Sequence, residues 1–372
     1  EEAALRPGRG QVDVPMTLYS YNVIVTGSSA GIGFEAALEF YKMHAHVIVH
    51  GSEHQRAVKS ARDIERMGAS EGGQGTVTPL GANLCDFDQV RSFALTATTI
   101  LPAVDILVLN AARMYGLAPW YGDKTLLNQP DWVFEGRSGH DRVLAVNHLG
   151  HFLLTELLLP RLAGGARILI MTSIGAWDGS LERLMPPWGN LGKYKLSPGS
   201  ANEKRILWEQ KGLKPHAYLA YRDSKLANVC YGRHLRRRLR KNATVVIHDP
   251  GMVIATPTMS RESKAYKERS YRQARNGRLW NWHAPTEDGG RHLIQSLFIQ
   301  REPIPDVVTS YFLPRQLVTA LAGQLWRFKY IGRFTSYQKL TWGLHATVGP
   351  ECDEDLQDRL ARWSAKATGL EP

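Results

Sequence analysis

Short apolar runs alternate along this chain with stretches whose apolar positions recur every three or four residues. The runs are YNVIV (Tyr21 to Val25), HVIVH (His46 to His50), TVTPL (Thr76 to Leu80), VDILVLN (Val104 to Asn110), RILIMTS (Arg167 to Ser173), TVVIHD (Thr244 to Asp249) and DVVTSYF (Asp306 to Phe312). They are β-branched and nearly uninterrupted, the pattern of strands buried on both faces. Between the first two, Ile32, Ala36, Phe40 and Met43 fall at helical spacing. Further helical patterns cover Asp86 to Thr99 and Val143 to Leu162. Strand and helix in alternation predict an α/β fold: a doubly wound parallel sheet of about seven strands with helices on both faces. Ligands of such sheets bind beyond the carboxyl ends of the strands.

The first strand runs into TGSSAGIG (Thr26 to Gly33). Glycines at 27, 31 and 33 therefore occupy a strand-to-helix turn. Glycine tolerates positive φ and close approach to its backbone. The helix N-terminus that follows offers unpaired N–H groups and partial positive charge, which suit a phosphate. A pyrophosphate-binding turn is the functional reading; an ordinary strand–turn–helix is the plain one, and context decides between them.

Context comes from motifs further on. LNAA spans Leu109 to Ala112, VNHLGHFLLTELLLPRL spans Val146 to Leu162, YRDSKLANV spans Tyr221 to Val229, and DPG spans Asp249 to Gly251. With the glycine turn, and with SYF (Ser310 to Phe312) and DEDLQDRLARWSAKATGL (Asp353 to Leu370), these resemble the short-chain dehydrogenase/reductase superfamily. The chain looks most like its retinol dehydrogenase and WW-domain oxidoreductase group, with light-dependent protochlorophyllide reductase as a further relative. The resemblance spans most of residues 20 to 370. It implies a single Rossmann-type domain over 21–372, preceded by an extended arm at 1–20. Enlarged insertions near the active site are expected at about 176–217, 257–284 and 316–350.

Tyr221 and Lys225 stand four residues apart and share one helix face. An ammonium beside a phenol favours the phenolate, so Tyr221 can exchange a proton with a carbonyl or alcohol oxygen near neutral pH. The resemblance adds the rest of a site. Lys225 would also bond the nicotinamide ribose, Ser173 would polarise the substrate oxygen, and Asn147 would hold the helix backbone and a water of the proton relay. Gly27, Ser29, Gly31, Ile32 and Gly33 would surround the pyrophosphate. Asn110, Ala111, Pro250, Gly251 and Thr256 would border the nicotinamide half. Asn83 would accept from the adenine amino group, with Leu84 packed beside it.

Departures from the family pattern matter. Leu109 and Ala112 replace the usual neighbours of Asn110 and Ala111. Thr256 sits one residue late, and the stretch between Ser173 and Tyr221 is unusually long. At the end of the second strand an acid would bond a ribose 2′-hydroxyl and indicate NAD. This chain has Ser52 there, followed by Glu53, His54 and Arg56. Ser52 with Arg56 or His54 suits a 2′-phosphate and Glu53 opposes it, so NADP(H) is expected over NAD(H).

The formal net charge is +11. Between Lys193 and Arg278 lie 21 Lys/Arg against 6 Asp/Glu, so the excess is local. It suggests an anionic membrane surface or a protein complex as partner, or simply a solvated basic face. RHLRRRLRKN (Arg233 to Asn242) reads as the basic end of the Tyr–Lys helix rather than a nucleic-acid patch. His148 and His151 lie three apart on a helix, but no third ligand is indicated and no metal is expected. Cys85, Cys230 and Cys352 are scattered, which argues against a disulfide framework and for a reducing intracellular compartment, with peripheral attachment to an organelle membrane an open option. The chain begins at Glu1, as a processed or trimmed product would. No run of about 18 or more apolar residues suggests a transmembrane helix.

Two functions fit these readings. One is an NADP(H)-dependent enzyme interconverting a carbonyl and an alcohol on a lipophilic substrate. The other is a dehydrogenase-like structural subunit, catalytically weak or inactive, within a larger assembly.

Overall fold

The computed structural model describes residues 15, 17–114, 138, 140–181, 216–239, 242–253, 283–284, 286–298, 307–311, 343–347 and 350–370. An eight-stranded sheet runs through them in the order β10-β9-β6-β5-β4-β1-β2-β3. Its members are β1 (Asn22–Val25), β2 (His46–Gly51), β3 (Thr76–Gly81), β4 (Val104–Leu109), β5 (Leu162–Met171), β6 (Ala243–Asp249), β9 (Val307–Tyr311) and β10 (Gly343–Thr347). All neighbours are parallel except β9 and β10, which are antiparallel. β10 lies within the stretch 316–350 expected to be an insertion, so part of that stretch closes the sheet edge. A separate two-stranded pair joins β7 (Met252–Val253) to β8 (His283–Ala284), the latter at the end of the expected 257–284 insertion. The other described residues of the expected excursions are 176–181, 216–217 and 350; the remainder, and most of the arm at 1–20, lie outside the described residues.

The strands are apolar throughout because both faces are covered. On one face α1 (Gly31–Lys42) packs Ala36, Ala37 and Phe40 beneath the sheet, α2 (His54–Ser70) adds Ile64, and α7 (Thr286–Leu297) adds Leu293, Ile294 and Leu297. On the other face stand α3 (Phe87–Ile100), α5 (Gly150–Leu158) and α6 (His216–Leu239) with Phe93, Phe152, Leu153, Tyr231 and Leu235. Asp86 caps α3, accepting from the Gln89 N–H at 3.3 Å.

One expected helix is broken into parts. After a turn of α4 (Arg142–Leu144) the backbone makes a π-helical segment, Ala145–Leu149, before α5 continues. A π turn inside a helix often accompanies a functional site. Among the described residues, only Arg142–Arg161 is long and apolar enough to cross a membrane, and 72% of its hydrophobic window is buried against the protein itself. Its apolarity is used by core packing.

The C-terminal helix α8 (Glu354–Ala367) lies against α6. Here the cysteine reading is corrected. Cys230 on α6 and Cys352 before α8 form a disulfide with Cα atoms 5.9 Å apart. Separation by 122 residues concealed that the fold returns its end to the Tyr–Lys helix. The scattered spacing therefore gives no support to a reducing compartment. The arginine run of α6 is likewise committed to the fold. Arg237 pairs with Glu354 and Asp358, Arg238 with Glu156, and His234 meets Asp358 at 2.9 Å. Arg233 donates to the Pro350 carbonyl at 2.7 Å, and Arg236 to that of Val245 at 2.8 Å.

Candidate active site

The turn after β1 has the conformation that its glycines permit. Gly27 and Gly31 have φ of 67° and 63°. A Cβ on Gly27 would lie 2.7 Å from the Ala111 Cα, so the turn and the end of β4 touch through backbone. Gly33 is required by an internal neighbour: its Cβ would meet Asn110 Nδ2 at 2.4 Å and the Gly27 oxygen at 2.6 Å. Asn110 Nδ2 donates to the Thr26 carbonyl at 2.9 Å. Ala30, before α1, supplies no side-chain cap. The first N–H groups of α1 therefore face the turn without a side-chain partner at the cap, which fits a pyrophosphate.

Ser28 is buried; its hydroxyl donates to the Val25 carbonyl at 2.7 Å and accepts from the His50 N–H at 2.8 Å. The Ser29 carbonyl accepts from Ser60 Oγ at 3.1 Å. Ile32 is packed into the core. Ser52 and Arg56 are exposed at the end of β2 and the start of α2, with Arg56 Nε 3.8 Å from Glu53. Asn83 uses its Oδ1 on Cys85, accepting from Sγ at 2.9 Å and from N–H at 3.3 Å. Leu84 is part of the core cluster that holds Val90 and Phe93, and its carbonyl lies against Gly150.

The chemistry-bearing residues converge beyond the carboxyl ends of β4 and β5. Asn147 sits in the π-helical segment and is fully buried. Its Oδ1 accepts from the Arg113 N–H at 2.6 Å; its Nδ2 donates to the Arg113 carbonyl at 2.9 Å and to Ser224 Oγ at 3.0 Å. Ser224 in turn donates to the Tyr221 carbonyl at 2.7 Å. Ser173 follows β5 and caps a short 3-10 turn, Ile174–Asp178. A point at the missing Cβ of Gly175 lies 3.6 Å from Tyr221 Cε1 and 3.7 Å from Ser173 Oγ, so both side chains border Gly175.

Lys225 is buried, with Nζ 5.6 Å from the Tyr221 ring centroid and donating to the Met171 carbonyl at 3.2 Å. Burial lowers its pKa to about 8, against the pull of the Asp249 carboxylate, which raises it. Pro250 and Gly251 follow β6; the Gly251 N–H donates to Asp249 Oδ1 at 3.0 Å and Gly251 has φ 68°. Thr256 lies outside the described residues.

Several site residues carried no legible role in the sequence. Thr26 Oγ1 accepts from the N–H groups of Asn110 and Ala111 at 2.9 and 3.0 Å. Asn228 Nδ2 donates to the carbonyls of Asn147 and Met171, both at 3.0 Å. His148 meets Asn228 Oδ1 at 3.2 Å and Ser364 Oγ at 2.9 Å, so both ring nitrogens serve hydrogen bonds. The only hint of such roles was a polar residue inside an apolar run, which names no partner.

A glycine turn beside a Ser–Tyr–Lys–Asn cluster at the carboxyl edge of a doubly wound sheet is the layout expected of a dinucleotide-binding α/β protein of dehydrogenase type. The short chain dehydrogenase family profile matches residues 21–183. The chain is 29% identical over 256 residues to protochlorophyllide reductase A of Arabidopsis thaliana, covering 67% of this chain and 58% of that protein. It is 34% identical over 220 residues to the WW domain-containing oxidoreductase of Danio rerio, covering 58% and 45%. It is 30% identical over 248 residues to retinol dehydrogenase 14 of Mus musculus, covering 64% and 63%. The matches thus span about half to three fifths of these relatives' length. Among solved structures, an uncharacterised protein from Mycobacterium paratuberculosis aligns with a TM-score of 0.56 at 22% identity, over 97% of this chain and 98% of that one. L-sorbose reductase from Gluconobacter frateurii, complexed with NADPH and L-sorbose, aligns at 0.53 and 18% identity, over 76% and 91%. These two show the fold alone. The chain is similar to the short-chain dehydrogenase/reductase family, whose profile covers somewhat less than half of it.

Proposed function

We propose that the chain is an NADP(H)-dependent oxidoreductase interconverting a carbonyl and an alcohol on a lipophilic substrate. The observation that carries this reading is that Ser173 and Tyr221 both border Gly175, with the buried Lys225 ammonium 5.6 Å from the centroid of the tyrosine ring. A bound nicotinamide supplies or accepts the hydride at the substrate carbon. In the reducing direction the Tyr221 hydroxyl gives its proton to the substrate oxygen. Lys225 favours the phenolate left behind, because an adjacent cation stabilises the anionic form. Ser173 Oγ orients the same oxygen, and Asn147 holds the segment beneath Tyr221 through Ser224.

The residues fit the dinucleotide. The turn at Gly27 and Gly31 leads into an α1 terminus that no side chain caps, as a pyrophosphate site requires. Preference for the 2′-phosphate is supported by exposed Ser52 and Arg56 where NAD-binding sites place an acid. The lipophilic substrate class is supported by the named relatives: retinol and protochlorophyllide are both largely apolar molecules.

The test is a panel of apolar aldehydes, ketones and alcohols offered with each nicotinamide cofactor, read by reduced-cofactor absorbance. Turnover with NADPH, and a lower Kd for NADPH than for NADH, is expected. Ser52→Asp should reverse that preference, since a carboxylate repels phosphate. Absence of nucleotide binding would overturn the reading, and equal affinity for both cofactors would remove the 2′-phosphate contact from it.

A further inference from the structure

Two buried histidines grip consecutive residues of the glycine turn. The Gly27 N–H donates to His50 Nδ1 at 2.9 Å. The other ring nitrogen, His50 Nε2, is 2.9 Å from the Ala82 carbonyl. A carbonyl can only accept, so Nε2 carries the proton and Nδ1 is the acceptor. His50 stands at the carboxyl end of β2, and Ala82 directly follows β3. One imidazole therefore spans three segments at the sheet edge: the turn, β2 and the chain after β3. The Phe93 ring meets it edge-on at 5.3 Å between centroids and excludes water.

His151 holds the preceding residue from the opposite side. Its Nδ1 is 3.2 Å from the Asn147 carbonyl and must be the protonated nitrogen. Its Nε2 is then an acceptor 2.8 Å from Thr26 Oγ1, whose one proton also has the Val108 carbonyl within reach at 3.2 Å and takes the shorter contact to His151. That hydroxyl in turn receives the Asn110 and Ala111 N–H groups. A directed chain of hydrogen bonds thus runs from the end of β4, through Thr26 and His151, to the backbone of the π-helical segment. Both histidines are almost wholly inaccessible, at 2% and 3% exposure.

We propose that His50 and His151 are positioning residues for the dinucleotide site: neutral imidazoles in opposite tautomers that fix Thr26 and Gly27 against β3 on one side and against Asn147 on the other. The inference rests on the nucleotide-binding reading above. The physical reason is preorganisation. Without an acceptor for its N–H, Gly27 gains by leaving the ordered turn, and binding must then restore it.

Isotope-edited NMR of the histidine ring nitrogens should show His50 protonated on Nε2 and His151 on Nδ1 at neutral pH. NADPH affinity and thermal midpoint are then measured for His50→Leu and His50→Asn. Leucine removes the acceptor, whereas the asparagine Oδ1 stands near the place of Nδ1. His50→Leu should weaken NADPH binding by about tenfold or more, the size expected when a buried donor loses its partner. His50→Asn should restore affinity to within about threefold of the parent on the same grounds. Should His50→Leu fail to fold, the His50→Asn affinity and the parent's tautomers still decide.

Equal Kd for parent and folded His50→Leu, with only the thermal midpoint lowered, would reduce His50 to a structural residue. Loss of affinity in His50→Asn comparable to an unbound turn, or the same tautomer in both rings, would also overturn the inference. A parent that binds no nicotinamide nucleotide would instead remove the nucleotide reading itself, and the positioning role with it.

Discussion

Acidification offers a strong test of how this core is built, because it must charge histidines that the fold keeps neutral. Burial lowers His50 and His148 to about 4, and His151 and His248 to about 3. In the unfolded chain each would titrate near its ordinary value of about 6.5. The folded value is depressed, so the unfolded state binds more protons below pH 6.5. The stability these groups confer is complete above that pH and is lost progressively as pH falls through the folded values of about 4 and about 3. At pH 5 each such histidine favours unfolding by roughly 2 kcal/mol, about 8 kcal/mol for the four. Asp141 acts the other way. Burial raises its carboxyl to about 6, so the folded state takes up a proton first and recovers roughly 1 kcal/mol at pH 5. His46 and His140, also lowered by burial, add to the destabilisation.

A net loss of about 7 kcal/mol between pH 7.5 and pH 5 is comparable to the whole stability of an ordinary domain. Near pH 5.5 unfolding should take up about three protons, a slope of about 4 kcal/mol per pH unit. Denaturant melts from pH 5 to 8 measure it directly. His248→Asn should lower the uptake by about one proton. Stability flat to within about 1 kcal/mol over that range would refute the neutral, buried assignment. So would histidine resonances titrating near the ordinary value in the folded protein.

Three further outcomes follow from the geometry. Tyr221→Phe should cut turnover by about a hundredfold or more while leaving NADPH affinity nearly unchanged, and Lys225→Ala should damage both; assays of cofactor oxidation and binding separate them. Gly33→Ala should lose about 1–3 kcal/mol in a denaturant melt, because the Cβ displaces Asn110 from Thr26 and meets backbone at Gly27; a neutral result would show that the turn yields. Replacing Cys230 and Cys352 together by alanine should lower stability by about 2–5 kcal/mol, read against the parent under non-reducing conditions.

The sheet was legible because its strands are buried on both faces and need no alternation to be recognised. Most boundaries moved slightly in either direction, and the largest shift is at β5, which begins at Leu162, paired with Val104 across a register shift. Edge strand β10 was not read from the sequence: Gly343–Thr347 lacks the β-branched apolar run of the other strands, and its pairing with β9 is a tertiary fact. The proposed Ser–Tyr–Lys–Asn site came from the family resemblance, and only the Tyr221–Lys225 pair from helical spacing. The partners of Thr26, His50 and Asn228 were hidden, since each bonds to backbone far away in sequence. The basic end of α6 could be read only as a charged helix terminus. Its acceptors, Glu354, Asp358 and two C-terminal carbonyls, come into reach when α8 docks.

That docking ties the C-terminus to the chemistry. Leu360 and Cys352 of the α8 region are buried with Leu226, Ala227 and Cys230 of the Tyr–Lys helix. Ser364 holds His148, His148 meets Asn228, and Asn228 donates to the carbonyls of Asn147 and Met171. Met171 is also where Lys225 anchors its ammonium. Three bonds thus separate α8 from the backbone on which the proposed proton donor and its cation depend. On the far side Arg91 of α3 donates to the Thr368 carbonyl at 2.8 Å, fixing the end of α8 to the helix layer. The disulfide and the arginine pairs hold α8 where Ser364 can reach His148. The C-terminal helix therefore acts on the site by fixing the π-helical segment from behind, even though none of its residues approaches Tyr221 among the contacts described.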